Sequence, residues 1–308
     1  MNILILGGSG FVGRAICSKL VMAGHSITVP TRKRDNARAL FPLPSVTVVE
    51  ADVFDAAALA QLARGKDAVI NLVGILNGNF ERAHVTLTAN AVAACTTVGV
   101  SRYVHMSALG ASDSGPSAYQ KSKATADAIV RASGLDFTIF APSVIFGRGD
   151  SFLTKFASMV GFLPPLIPMM LPGAGARFQP VWVDDVARAF VESLRNESTY
   201  GQRFELVGPK VYTLKELVAY VMRLAHNKHM IIGLPGPVTS VLAAVLQYVP
   251  TQPLTPDNVK SMSVDNVSAA PFPSFAGKAT ALEDVVPGYL GRDAITDEFA
   301  EAREKAGH

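Results

Sequence analysis

Tyr119 and Lys123, four residues apart in Tyr-Gln-Lys-Ser-Lys, and Ser107 twelve residues before the tyrosine carry the clearest chemistry in this 308-residue sequence. Residues at i and i+4 share one face of a helix. An ammonium beside a phenol favours the phenolate and lowers its pKa from about 10. Such a tyrosine can trade a proton with a carbonyl or alcohol oxygen while hydride moves to or from a nicotinamide. Ser107 would polarise that oxygen. The Tyr-x-x-x-Lys spacing arises often on exposed helices, so its meaning depends on what stands upstream.

What stands upstream is Gly7-Gly8-Ser9-Gly10-Phe11-Val12-Gly13, directly after an apolar run. Such a turn lets backbone N–H groups approach a pyrophosphate at a helix N-terminus. Gly7 is expected to permit the tight turn, Gly10 the close approach and Gly13 the helix–strand packing. Ser9, Phe11 and Val12 complete the expected cofactor contacts. The next apolar run ends in Thr31-Arg32-Lys33-Arg34, with no acid where an NAD-specific site places one for the ribose 2′-OH. A guanidinium suits a 2′-phosphate, so Arg32 predicts NADP(H) over NAD(H). Asp52, followed by Val53, is placed to accept from an adenine amino group or to cap a helix starting near Asp55. Leu72, Val73 and Gly74 would pass the cofactor as small backbone at the end of a fourth run.

These groups need a scaffold. Short β-branched runs lie at 3–6, 26–30, 46–50, 68–72, 102–106 and 136–140, separated by helix-like stretches at 11–23, 35–41, 55–64, 80–98 and 117–133. Apolar runs of this length suit strands buried on both faces. The alternation predicts an α/β fold, a Rossmann doubly wound parallel sheet, with a smaller C-terminal substrate domain. The expected division is 1–147 for nucleotide binding, with 178–200 returning to it, and 148–177 plus 201–308 for the substrate or a partner. After residue 147 the rhythm breaks. Residues 156–176 hold no charge and four prolines, and read as an apolar loop or lid. A strand end at 181–185 and a short helix over 186–195 follow. Thr213 with Glu216 forms a capping box that predicts a helix over 214–225. Residues 230–256 are again uncharged; Val238–Val249 reads as a core helix or as a surface for a membrane or another subunit.

The sequence resembles the extended or atypical short-chain dehydrogenase/reductases, through the glycine turn at 7–13 and Tyr-x-x-x-Lys at 119–123. Within them it is most similar to the branch holding the NADPH-binding accessory subunit of respiratory complex I and its bacterial relatives. The segments that carry this likeness are Ile70–Leu76, His105–Ala111, Pro142–Gly147 and Phe178–Val186. The resemblance covers roughly residues 1–225. It implies that Arg32 matches the family's NADP(H)-selecting arginine and that Pro142, Val144 and Ile145 pass beside the nicotinamide. The Tyr/Lys pair is often degenerate in this branch, yet both residues stand here. Sugar-nucleotide dehydratases carry an acidic pair after the fifth-strand Ser or Thr; Ala108 and Leu109 stand here instead, so dehydration lacks its acid and base. The branch's link to ubiquinone synthesis suits an apolar or quinone-like substrate.

The remaining features narrow the classes. The chain is 49% hydrophobic and 17% charged, against roughly 25% charged in an average soluble protein, so it can fold around a large core. A net charge of +3 with no dense basic face argues against nucleic acid. Cys17 and Cys95 fall on helical stretches and read as buried thiols. No Cys/His/Asp cluster has zinc spacing. His105 reads as a core or edge histidine, His84 as lying near the cofactor cleft, and Asp184-Asp185 as a structural tie. With no signal-like start and no long apolar span, the expected location is cytoplasmic or peripheral on the inner membrane face. The leading expectation is an NADP(H)-dependent oxidoreductase on a small apolar carbonyl or alcohol. The alternatives are a non-catalytic NADPH-binding accessory protein of a respiratory or coenzyme Q complex, and a nucleotide-sugar epimerase.

Overall fold

In a computed structural model that describes residues 1–162, 167–227, 229–248 and 254–290, the apolar runs become strands. The chain begins β1 (Asn2–Leu6), α1 (Phe11–Met22), β2 (Ser26–Thr31), a 3₁₀ stretch (Arg34–Leu40), β3 (Val46–Glu50), α2 (Ala56–Ala63) and β4 (Ala68–Asn71). A π-helical turn (Glu81–Thr86) then runs into α3 (Leu87–Val98), followed by β5 (Arg102–Met106), α4 (Ala118–Arg131) and β6 (Asp136–Pro142). The second half holds β7 (Ile145–Phe146), α5 (Leu153–Phe162), β8 (Met169–Pro172), β9 (Arg177–Phe178), β10 (Val181–Trp182), α6 (Val183–Ser193) and β11 (Gln202–Leu206). Then come β12 (Tyr212–Thr213), α7 (Leu214–Leu224), β13 (Ile231–Leu234), α8 (Gly236–Leu246) and α9 (Pro256–Ser261), and two single-turn helices (Leu282–Val285 and Pro287–Leu290) follow.

Seven strands form one parallel sheet in the order β11-β6-β5-β4-β1-β2-β3. The direction of winding reverses between β1 and β4, and ligands of such sheets bind at the carboxyl ends of the strands flanking that reversal. Ile3 to Leu6, Val69, Ile70, Tyr103, Val104, Ile139 and Phe140 are fully or almost fully buried, because helices cover both sheet faces. One helix layer packs Leu59, Leu87, Ala91 and Cys95 against Leu4, Leu6, Val69 and Tyr103.

The chain divides into two units. The first comprises Met1–Pro142, Val183–Leu206 and Ala269–Lys278; the second takes Ser143–Trp182, Val207–Ser268 and the residues from Ala279. Against the expected division, the first unit ends five residues earlier and gains a late segment. Phe275 explains that return: its ring lies 5.2 Å from Phe204 and 6.5 Å from Phe140. Arg188 on α6 also donates to the carbonyls of Ala276 and Lys278.

In the second unit, the apolar loop expected over 156–176 is corrected. α5 occupies its first part and β8 its last, and residues 163–166 lie outside the described set. Of the described prolines, Pro168 precedes β8 and Pro172 ends it, so neither interrupts the strand. A core of Phe146, Leu153, Val160, Met169, Leu171, Leu217, Val218 and Val221 holds this unit. α7 starts at the foreseen box: Thr213 accepts from the Glu216 N–H, and the Glu216 carboxylate accepts from the Thr213 N–H.

Candidate nucleotide and catalytic site

Three glycines shape the turn between β1 and α1. Gly7 has φ +82°, a left-handed conformation that glycine adopts without strain. A side chain there would also press on the Leu72–Val73 backbone at 3.2 Å, so the turn and the end of β4 lie in contact. At Gly13 a Cβ would collide with the Gly7 carbonyl oxygen and lie 2.6 Å from Gly8 Cα, which seats α1 directly on the turn. Gly10 N–H donates to Gly7 O and opens α1, with no side-chain cap and no acid in the first turn. Uncapped N–H groups and the partial positive charge of a helix N-terminus favour an anion. Ser9 and Phe11 are half-buried and Val12 buried along this rim. The cradle fits the pyrophosphate of a dinucleotide.

Arg32 leaves β2 exposed to solvent, as do Lys33 and Arg34, and Arg34 lies over the Phe41 ring. Asp52 proves not to be the helix cap. Asp55 holds that place, accepting from the N–H groups of Ala57 and Ala58, while Asp52 accepts from Phe54 N–H. Val53 packs half-buried against the core beside α2. Leu72 N–H donates to Leu6 O and Val73 N–H to the Asn71 side chain, which fixes the strand end that Gly74 continues. Pro142 closes β6, where its carbonyl accepts from Leu109 N–H. Val144 and Ile145 belong to the second unit, with Ile145 paired to Val181.

Tyr119 and Lys123 do share one face of α4. That helix starts with a second, unforeseen capping box of Ser117 and Gln120. Lys123 is buried, and its ammonium donates to Met106 O at 3.0 Å, at the end of β5. A side chain on Gly74 would come within 3.3 Å of the same Nζ, so the ends of β4 and β5 converge on it. Burial lowers the Lys123 pKa to about 8, against the pull of the Asp127 charge. The Tyr119 phenol departs from expectation: burial raises it to about 12 rather than the ammonium lowering it. Desolvation of the phenolate outweighs the cation on the same face.

His84, which sequence reasoning placed only near the cleft, positions this tyrosine. The π turn brings its ring within 5.6 Å of both Tyr119 and Phe80, and Phe80 within 5.9 Å of Tyr119. Its Nε2 accepts from Ile75 N–H at 3.1 Å, so the proton sits on Nδ1 and is donated to Ser122 Oγ at 2.8 Å. Ser122 in turn donates to the Tyr119 carbonyl. Burial, with Lys123 nearby, lowers the His84 pKa to about 3, so the ring is neutral.

The Ser107 hydroxyl donates at 2.8 Å to Asp127 on α4, another residue not anticipated. Asp127 lies a further four residues along the face of Tyr119 and Lys123, and that repeat was the signal available in the sequence. Arg203 on β11 stands 3.5 Å from the same carboxylate oxygen and also pairs with Glu205. Burial raises the Asp127 pKa despite these partners. His105 is buried with Nε2 3.8 Å from Asp127, beyond hydrogen-bond range, and its pKa is driven far down by desolvation. Asp184 pairs with Lys19 on α1 and Asp185 with Arg188, so both serve the packing of α6. Cys17 and Cys95 are buried free thiols.

Comparison with known proteins places the chain among nucleotide-binding relatives. Residues 7–151 match the model of an NAD(P)H-binding family. The chain is 30% identical over 278 residues to "NADH dehydrogenase [ubiquinone] 1 alpha subcomplex subunit 9, mitochondrial" of Rattus norvegicus, covering 87% of this chain and 73% of that protein. It is 26% identical to the ceramide reductase of Caulobacter vibrioides over 239 residues, 76% of this chain and 74% of that one. Among solved structures it resembles the NADPH-dependent quinone oxidoreductase QOR2 of Escherichia coli, solved with NADPH, at a TM-score of 0.75 and 19% identity over 94% and 99% of the two chains.

Proposed function

The chain belongs to the NAD(P)-binding extended short-chain dehydrogenase/reductase family, in the branch of the respiratory NADH dehydrogenase alpha-subcomplex subunit 9. On that premise we propose that it is an NADP(H)-dependent reductase of a small, largely apolar carbonyl compound, a quinone or lipid carbonyl included. The observation that carries this reading is the intact Tyr119–Lys123 pair, with the ammonium drawn to the ends of β4 and β5 and the phenol braced by His84.

When bound, the cofactor would supply the hydride. The glycine turn and the α1 N-terminus would hold its pyrophosphate, and exposed Arg32 its 2′-phosphate. A phenol near pKa 12 keeps its proton at neutral pH and can give it to a carbonyl oxygen as negative charge develops there. That favours reduction over alcohol oxidation, which needs the phenolate. Lys123, cationic below about pH 8, would stabilise the phenolate left behind. Ser107, committed to Asp127, would brace α4 against β5 rather than touch substrate. The uncharged stretches of the second unit and the names of two relatives, a ceramide reductase and a quinone oxidoreductase, support an apolar substrate.

Tyr119→Phe tests this directly. Turnover of quinone and lipid-carbonyl substrates with NADPH should fall on the order of 100-fold or more, the usual worth of a positioned proton donor, while NADPH affinity stays unchanged. Wild-type turnover should also decline above about pH 8 as Lys123 loses its proton. Unchanged turnover in the variant overturns the assignment. A second reading, a non-catalytic NADPH-holding subunit of a respiratory complex, is favoured by the curated relatives, named as NADH dehydrogenase subunits. It predicts NADPH binding without oxidation across the same substrates and co-purification with membrane-arm subunits.

A further inference from the structure

One turn beyond Lys123, on the same face of α4, stands a second buried charge that takes no part in the proton transfer, Asp127. Adjacent residues at the end of β5 hold the two side chains. The Met106 carbonyl accepts from the Lys123 ammonium at 3.0 Å, and the Ser107 hydroxyl donates to the Asp127 carboxylate at 2.8 Å. The strand end thus clamps the helix at two points, a cation at one and an anion at the other. For stability alone the anion is a liability. Among the described residues its Oδ1 has no hydrogen-bond partner, and His105 Nε2, 3.8 Å away, has none either. A buried charge so placed costs more than a neutral group of the same shape. An asparagine would accept from Ser107 equally well. What only the carboxylate supplies is negative charge beside Lys123.

The elements packed around this stretch of α4 bring few other charges to it. His84 on the π turn and His105 on β5 are both kept neutral by burial. Glu81 and Arg82 of the π turn are exposed, and α3 has no charged side chain. Arg102 and Asp136 stand at the starts of β5 and β6, at the other end of the sheet from Met106. On α4 itself Lys121 and Arg131 are exposed. β11 contributes Arg203, 3.5 Å from Asp127 Oδ2 and shared with Glu205. Ser107, Arg203, Arg131 and Lys123 favour the ionised carboxylate, and the carboxylate favours the ammonium, against the burial that penalises both.

We propose that Asp127 is a positioning residue of the reaction: its carboxylate keeps Lys123 an ammonium inside the fold, while its bond to Ser107 seats α4 on the end of β5. The charge matters when Tyr119 has given its proton to the carbonyl oxygen and the phenolate left behind needs a cation beside it. The consequence for turnover rests on the reductase reading; the effect on Lys123 does not.

Asp127→Asn in the full chain tests it, read by NMR of carbon-13-labelled lysines with a Lys123→Met spectrum to assign the signal. In the wild type the Lys123 inflection should fall near pH 8, and in Asp127→Asn on the order of one pH unit lower. Turnover at pH 8 should then drop about fivefold, the ratio of the two charged fractions, through kcat rather than KM, and recover toward wild type near pH 6. Ser107→Ala keeps the charge and loses only the bond. It should lower the melting temperature without moving the Lys123 inflection. In the wild type, the carbon-13 signal of the Asp127 carboxyl should report an ionised group at pH 7, a measurement that needs no variant. An unmoved inflection in Asp127→Asn, an equal shift in Ser107→Ala, or a protonated Asp127 at pH 7 overturns the proposal. A shifted inflection in a protein that turns over no substrate supports the charge coupling and overturns the reductase reading instead.

Discussion

The two units dispose of their polar and apolar groups in opposite ways. In the first, charge is drawn inside: Lys123 and Asp127 are buried and Arg203 half-buried, each with a named partner, around strands whose apolar side chains are hidden. In the second, apolar side chains lie outside on α8 and the β8–β13 pair, and the cations stay at the surface. A unit that holds a charged ligand must present preorganised groups and keep water from them. A unit that meets a surface needs the reverse. The two units therefore differ in burial before any ligand is considered.

Variants can break or sharpen that contrast. The largest effect is expected at Gly13→Val. The new side chain collides with the backbone of the β1–α1 turn, so NADPH binding should be lost and the melting temperature should fall by several degrees, an overpacking cost of about 1–3 kcal/mol. Calorimetric titration and thermal melts read both effects. Arg32→Ser comes next. Removing one charge-assisted contact should weaken NADPH by on the order of 10- to 100-fold and leave NADH nearly unaffected. Equal losses for the two nucleotides would mean that Arg32 does not read the 2′-phosphate.

A third effect, which appears only on acidification, concerns stability. Unfolded, His84 takes up a proton below about pH 6.5; folded, it resists until about pH 3. The unfolded state thus binds more protons in that window, and stability falls as pH drops, by up to about 1.4 kcal/mol per pH unit from this residue. His84→Gln can keep both hydrogen bonds without titrating. It should flatten the decline in denaturant midpoints between pH 6.5 and 4, leaving the part due to His105. An unchanged slope would place the ring outside the packed interior.

The same contrast decides what was legible in the sequence. β3 and β5 fall at the residues predicted, and the other four early strands within two residues at either end, because strands covered on both sides must be continuous apolar runs. In the second unit, strands of two to four residues carry no periodicity to read. An apolar helix facing solvent is indistinguishable in sequence from one facing a core. Within the site, local spacing revealed the Gly7–Gly13 turn and the Tyr119–Lys123 pair. His84, Asp127 and Arg203 come together only through tertiary structure, and no spacing announces that the Ser107 hydroxyl turns toward α4. The raised Tyr119 pKa was missed for a related reason: composition shows that a lysine is near, not that both groups are buried.

The return of Ala269–Lys278 to the first unit bears on how the protein is made. Its residues cover Phe140 and Phe204 and take the guanidinium of Arg188, all laid down at least 65 residues earlier in the chain. During synthesis from the N-terminus, the parallel sheet would therefore wait with one aromatic patch uncovered until residue 278 has emerged. Domains usually fold in the order in which they are translated. Here the first unit is complete only at residue 278, after most of the second has been made, and a nascent chain paused before residue 269 would present its unfinished face to chaperones.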